Sequence, residues 1–520
     1  MQVTSGTEIN QAAGIVSTDI SDVFGGKVIT ALSDWNDRIR KVQTMVTTST
    51  GVSFNYGVQA GQGGFLLDNN AGVNGNVYSN GDITGSNNTF ITGTAIAANS
   101  MTLSTDQANN TPTVPTNTIN FRNSSSAQDF AQSFTVSTES PLNKLELYIR
   151  KTGSPSNATV RIVSNSGSSP GTTTFATATL SASMVTTSYG WLTLTPSSNP
   201  LLSAGTTYWI VVDNNSTNAS NYYTIGANAA YSNGVAKLGQ YAGSWSNTSP
   251  TGLDGYFKIY IGGTTSTISN ITVGSSGSGS AHAHTVTNVT VAGNLYCQTG
   301  SGNNKACNTS LADPTAIGYP ISDANIAEWK ADAEAGGTIT GNYTPTGAAS
   351  SLGPKKIVGD LILPSDHALT ITDTIWVTGN IIMPNNNAIY LDNSYGVSSG
   401  IIIADGYIRL DNNIDFYGSA ASGSYIMLLT TSTCPSGNSC GGYDAVELSN
   451  NIGQLSDDVL VNAQQGRADF GNNAKVKEVT ANQIHLSNNV TVTYESGVAN
   501  PNFSSGPGGA WSVTSWKEIE

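Results

Sequence analysis

A recurring doublet constrains this chain more than any other feature. Asp366-His367-Ala368, Asn386-Asn387-Ala388, Asn412-Asn413-Ile414, Asn450-Asn451-Ile452, Asn472-Asn473-Ala474 and Asn488-Asn489-Val490 mostly read as two corner-forming polar residues and then a small or branched apolar one. Their first residues lie 20, 26, 38, 22 and 16 apart, and the 38-residue interval holds the loop CPSGNSC. An irregular repeat near twenty residues predicts a solenoid. A second phrase accompanies it, as VNGNVY from Val73, VAGNLY from Val291, IVGDLI from Ile357 and VTGNII from Val377, with short strands such as TIWV, GIIIA, YIRL, VLVNA and QIHLS between. Asn suits corners because it tolerates positive φ and bonds its own backbone, and Gly does so by lacking a Cβ. Each circuit should therefore make two or three short strands, and successive circuits should stack in parallel. Asn386, Asn412, Asn450, Asn472 and Asn488 are the expected corner ladder, with the apolar follower turned inward. Hairpin corners of a β-sandwich are the competing reading.

The same grammar runs through LLDNNAGVNGNVYSNGDITGSNNTFITG, Leu66 to Gly93, and then stops. Longer, more aromatic strands follow, including QSFTVST, KLELYIRK, TTYWIVVDNN and GYFKIYIGG, before NVTVAGNLY restores the phrase from Asn288. The predicted class is all-β: a parallel β-solenoid, or β-helix, interrupted by an inserted β-sandwich of jelly-roll type, with one short helix. The expected boundaries are an N-terminal β segment at 1–50, the first part of the solenoid at 51–111, the sandwich at 112–263, a Gly/Ser linker at 264–284 and the second part of the solenoid at 285–520. The helix is placed near 323–335, in SDANIAEWKADAEAGG, with Ser322 or Asp323 as N-cap and Gly336 as stop. In the N-terminal segment, GKVITAL and RKVQTMVTT read as a strand pair, and ALSDWNDRIRKVQTM also reads as a helix.

Charge excludes one class of partner. Only 10% of residues are charged, the balance is -14, and 20 Lys and Arg in the whole chain are too few for a phosphate-binding face, so no nucleic-acid partner is expected. The 38% hydrophobic content arrives in short periodic packets, so the Gly- and Ser-rich chain should fold rather than stay disordered. Cys297 with Cys307, and Cys434 with Cys440, bracket Gly/Asn loops at spacings unlike those of zinc sites, which predicts two local disulfides and a setting outside the cytoplasm. No apolar run approaches the ~18 residues of a membrane helix, and no basic-plus-apolar leader follows Met1. Either a signal or anchor preceded Met1, or the chain starts at an artificial boundary.

Aromatic residues are where a sandwich meets sugar. Trp191, Tyr222, Tyr223 and Trp245 are the expected glycan or partner contacts, whereas Trp209, alternating with apolar neighbours in YWIVV, reads as core. Asp213, Asp254, Asp405, Asp411 and Asp415 read as corner residues bonding their own backbone, or as carboxylates of a polysaccharide-cleaving solenoid. No GxSxG, HExxH or phosphate-binding loop is present, so no catalytic residue is assigned. No cofactor or metal is expected. DNNID is the one stretch suggestive of Ca2+, the calcium-binding nonapeptide is absent, and His282 and His284 fall in the expected linker.

Residues 131–263, with AQSFTVSTESPLNKLELYIRKTGSPS, LLSAGTTYWIVVDNN, GSWSN and LDGYFKIYIGG, resemble the choice-of-anchor R type of module, a jelly-roll sandwich of bacterial surface proteins. The rest, with GVSFNYGVQAGQGGF, GPKKIVGDL, TIWVTGNI and GPGGAWSVTSWKEIE, resembles the ectodomain of predicted surface proteins of small uncultured bacteria, which often carry a pilin-like N-terminal segment. The resemblance implies an extracellular, cell-surface location and carries no catalytic residues. The expected role is structural or adhesive: a stalk or pilus- or filament-associated protein whose sandwich meets a glycan or a neighbouring subunit. A solenoid polysaccharide lyase or hydrolase with a carbohydrate-binding module, and a self-assembling filament subunit, are the alternatives. Grouped, partly buried carboxylates beside an Arg or Lys would favour the enzyme, and a face of neutral Asn, Ser and Thr the structural reading.

Overall fold

The computed structural model describes residues 8–11, 14–23, 26–35, 38–48, 52–100, 102–214, 216–434, 441–499, 501, 503 and 511–519. These residues are mostly β, in parallel and antiparallel sheets, with one α-helix. A single column of paired residues shows how the parallel part is built. It runs Leu361, Ile381, Ile408, Val446, Ala468, Ile484, Phe65, Ile83, Ile268 and Val286, each in register with the next. All ten side chains are buried in one continuous apolar core.

Spatial order in this column skips a long stretch of chain at one place and departs from chain order at another. Ile83 is followed by Ile268 because the sandwich is inserted between them. Ile484 is followed by Phe65, so the C-terminal circuits lie beneath the N-terminal ones and are joined to them by the parallel pairing of Glu478–Leu486 with Val58–Leu67. The route between the two halves runs outside the stack. After the Cys297–Cys307 disulfide, the chain runs along circuits that precede it and then one that follows it in sequence: Tyr78 Oη donates to the Thr315 carbonyl (2.5 Å), Gln59 Nε2 to Gly318 (2.8 Å) and Gln464 Nε2 to Ile321 (3.0 Å). The helix Asp323–Ala335 follows, opened by a capping box between Ser322 and Asn325. Its Ile326 and Trp329 pack with Val52, Phe54, Val498 and Phe503 on an outer apolar face formed by Ile401, Ile403, Met427, Leu429 and Leu460.

The doublets form corners with side-chain columns. Asn413, Asn451, Asn473, Asn489 and Asn70 have φ between 57° and 64°, and each donates its side-chain amide to the corresponding Asn one circuit away. Asn412, Asn450, Asn472, Asn488 and Asn69 make a second column beside it. One register differs from expectation: Asn412 stacks on Asn385 (2.8 Å) and Asn413 on Asn386 (3.0 Å), so the interval is 27 residues rather than 26. The inward follower in that circuit is then Asn387, which is buried and satisfied by the His367 N–H and the Pro384 carbonyl.

Three boundaries also move. Ser104–Asn109 pairs with Phe257–Ile261, so the inserted unit begins at 104 rather than 112. It consists of an eight-stranded and a six-stranded antiparallel sheet around Phe121, Phe134, Leu147, Ile210 and Phe257. The expected linker 264–284 is not a linker: Thr267–Ser269, Thr272–Val273 and Ala281–His282 are strands of the parallel stack, with the Gly/Ser run making only a turn between them. Trp511–Ile519 pairs with Arg38–Thr48 in a five-stranded antiparallel sheet that also contains Glu8–Gln11, Gly14–Val23 and Gly26–Trp35, so this strand is outside the parallel stack, and the described residues of ALSDWNDRIRKVQTM, 31–35 and 38–45, are strand, not helix. No described helix is long and apolar enough to cross a membrane.

Candidate functional site

The aromatic candidates do not form one platform. Trp191 stands on the eight-stranded sheet, 38% exposed, with its strand Gly190–Leu194 pairing Trp191 opposite Tyr148. Tyr222 is half-buried on the same sheet, opposite Thr152. Tyr223 is fully buried and donates its hydroxyl to the Ser156 carbonyl (2.6 Å), which removes it from any contact surface. Trp245 lies on the six-stranded sheet and leans on the buried cluster of Ala131, Val163, Trp209 and Val211. Trp209 is core, as expected, with its indole N–H on Asn165 (2.9 Å).

What surrounds Trp191 is more telling. Alternation in KLELYIRK sends Lys144, Glu146, Tyr148 and Arg150 to one face, and FKIYI adds Lys258 and Tyr260. Lys258 Nζ lies 4.0 Å from the Trp191 ring centre and pairs with Glu146 (3.0 Å), Lys144 lies over Tyr260 at 4.4 Å, and Tyr148 stacks on Tyr189 at 5.4 Å. Burial pushes Glu146 up, but the two lysines and the Tyr260 hydroxyl outweigh it and hold the carboxyl below its usual value. The result is an aromatic patch with a charged rim, suited to stacking and hydroxyl recognition. Period-2 spacing in the sequence carried the signal for these neighbours.

A second cluster crosses four adjacent strands of the stack. Arg409, Glu447, Asp469 and His485 are in register, one strand to the next, about 4.8 Å apart. Arg409 pairs with Asp411 (2.8 Å) and donates to the Tyr443 hydroxyl (2.9 Å). Arg467 pairs with Asp469 (2.6 Å) and Asp444 (3.6 Å). His485 places Nε2 2.9 Å from Asp68 and Nδ1 3.3 Å from Asp469. Both ring nitrogens thus face carboxylates, and the Asp469 bond first, then Asp68, raise the imidazole's pKa against burial and Arg467. Asp469 is pushed up by burial and brought below its usual value by His485 and Arg467. Glu447 moves the other way: burial, then the charges of Asp444 and Asp469, raise it. Two neighbouring carboxyls with opposed shifts are the arrangement that separates a proton donor from a carboxylate. Of the acids singled out in the sequence, only Asp411 joins this cluster. Asp213 pairs with Arg161 (2.9 Å), Asp254 accepts from Gln132 (2.9 Å), Asp405 pairs with Lys330, and Asp415 accepts from the Leu455 N–H (2.8 Å). Arg467, Asp469 and His485 went unnoticed because they are dispersed along the chain and meet only through the parallel register.

Asp411 and Asp415 of DNNID are engaged with different partners, and among the described residues no group of three or more His, Cys, Asp and Glu is disposed to hold a metal ion. His284 bonds Asp313 (2.7 Å) and His282 bonds the Ala312 carbonyl (3.0 Å), so both tie the returning segment to the stack. Cys434 is buried, and its expected partner Cys440 lies outside the described residues. No protein-family model matches the chain, and no curated protein is significantly similar to it.

Proposed function

We propose that the chain is a parallel β-solenoid carrying an inserted jelly-roll sandwich, and that it acts outside the cell as a surface or filament-associated display element whose sandwich recognises a glycan or a neighbouring subunit. The observation that carries this reading is the continuity of the parallel register from Leu361 to Val286 across segments that are remote in sequence. A ladder of that kind resists bending and shear along its whole length, because every backbone group inside it is bonded on both sides. The strands near both chain ends share one antiparallel sheet, a single stem from which the body is presented. The Cys297–Cys307 disulfide suits an oxidising compartment. The Trp191 patch supports recognition. Electron microscopy of the protein isolated from its source tests the display role: rods with a side lobe, or fibres with that lobe repeating, agree with it, and compact particles without a rod contradict it.

The charged cluster favours a second reading, a hydrolase or lyase acting on polysaccharide. Glu447, with its raised pKa, would hold the proton for the leaving oxygen beside ionised Asp469, and Arg409 would offset charge. Incubation with a panel of polysaccharides, followed by reducing-end and unsaturated-product assays, decides this. Activity lost in Glu447→Gln, with the melting temperature unchanged, would establish the enzyme; no product from any polysaccharide leaves the cluster as an ion-pair ladder.

A further inference from the structure

The inserted sandwich and the parallel stack do not close completely against each other. Between them is a cleft of about 1410 Å³, larger than the ~300–1,000 Å³ typical of drug-sized ligand sites. Its walls are mostly uncharged. Asn165, Phe175 and Thr206 face it from the sandwich, Gln62 and Gln483 from the stack, and Thr265 from the irregular segment that joins them. Among the described residues of the lining, Asp82 is the one charged residue, its Oδ1 already accepting from the Thr267 N–H at 2.7 Å, and none is Lys or Arg.

Two further details point to a ligand. Phe175 is 39% exposed although it lies in a wall, with its ring held edge-on by Tyr208 at 5.3 Å and 81°. Gln62 Oε1 is shielded from solvent and has no hydrogen-bond partner among the described residues. Amides and hydroxyls that donate and accept, together with one aromatic ring, complement the hydroxyls and C–H faces of sugars. A wall without cations gives a carboxylated or sulfated polymer nothing to pair with, and desolvating its charges there would cost binding.

We propose that this cleft binds a neutral oligosaccharide chain, held between the sandwich and the stack. The inference rests on reading the sandwich as a recognition module, and it places recognition at the junction instead of at Trp191. The test is a glycan array carrying neutral and anionic oligosaccharides, probed with the whole chain and followed by calorimetry on any hit. Thr265→Trp narrows the cleft from an exposed position, Thr265→Ser leaves it open, Phe175→Ala removes the ring, and Trp191→Ala alters the outer patch. Neutral glycans should bind the unaltered protein, Thr265→Ser should bind equally well, Phe175→Ala should bind roughly tenfold more weakly, and Thr265→Trp more weakly still. Binding lost in Trp191→Ala and kept in Thr265→Trp overturns the cleft while leaving a glycan-recognising sandwich in place. Binding of anionic glycans alone, or of none, overturns the cleft as a neutral-glycan site, and microscopy judges the display role separately.

Discussion

At the level of single residues, the Asn doublet does two jobs that substitution can separate. Asn472 donates to Asn450 (2.5 Å) and accepts from Asn488 (2.7 Å), whereas Asn473 makes the same kind of column and also holds φ at 61°. Asn472→Ala should cost only the column bonds, about 0.5–1.5 kcal/mol each at most. Asn473→Ala loses the bonds and adds about 1–2 kcal/mol for a Cβ in the left-handed region, while Asn473→Gly loses the bonds without that strain. Urea unfolding midpoints should therefore fall furthest for Asn473→Ala, and equal midpoints for Ala and Gly at 473 would show that φ carries none of the cost. That these doublets are corners was legible, because few residue types tolerate this backbone. Their stacking partners were not, since Asn385-Asn386-Asn387 contains two overlapping doublets and only the length of the intervening circuit chooses between them.

Elements show where the stack is covered. Gly400–Ala404 and Ile426–Thr430 are buried at every position, and their uninterrupted apolar runs in the sequence already imply that both faces are occupied. The occupant of the outer face was not readable from those strands, although the helix itself was, from its N-cap and its Gly stop. Trp329 is the largest side chain that the helix lays on this face, fully buried and edge-on to Phe503 at 5.2 Å. Trp329→Ala should cost about 3–5 kcal/mol. Hydrogen exchange should localise the loss: amides in the helix and of Val498 and Phe503 exchange faster, whereas amides of the core strands, still bonded to both neighbours, keep their protection. Uniform acceleration through the stack would mean that the helix and the ladder unfold as one unit.

For the molecule as a whole, the splice of Ile484 onto Phe65 was the least legible feature, because the same phrases occur in both halves and nothing in them encodes which half lies beneath. The splice also has an electrostatic consequence. Glu478 begins the strand that makes the join, is 1% exposed, and is pushed well above the usual glutamate value by burial, with the Thr480 hydroxyl (2.6 Å) opposing. Burial likewise raises Glu139 to about 7, and Asp129 and Asp254 to about 6 each. Between the unfolded values near 4 and these raised values, the folded chain holds protons that the unfolded chain has released, so stability falls as pH rises. His485 acts in the same direction, its contribution being present below about 6.5 and lost as pH passes its raised value. Asp469, Asp313 and Glu146, all held low, lose their contribution only as pH falls below the ordinary carboxylate range. The protein should therefore be most stable in mild acid, at about pH 4 to 4.5, and melt at a lower temperature at pH 8. Glu478→Gln keeps the shape and an acceptor for Thr480 while removing one ionisation. It should match the unaltered protein at pH 4.5 and exceed it at pH 8, with the gap widening by about 1.4 kcal/mol per pH unit until the glutamate's raised pKa is passed. Thermal unfolding across that range checks this, and a Gln variant no more stable than the parent at pH 8 would mean that Glu478 is ionised and compensated in the folded chain.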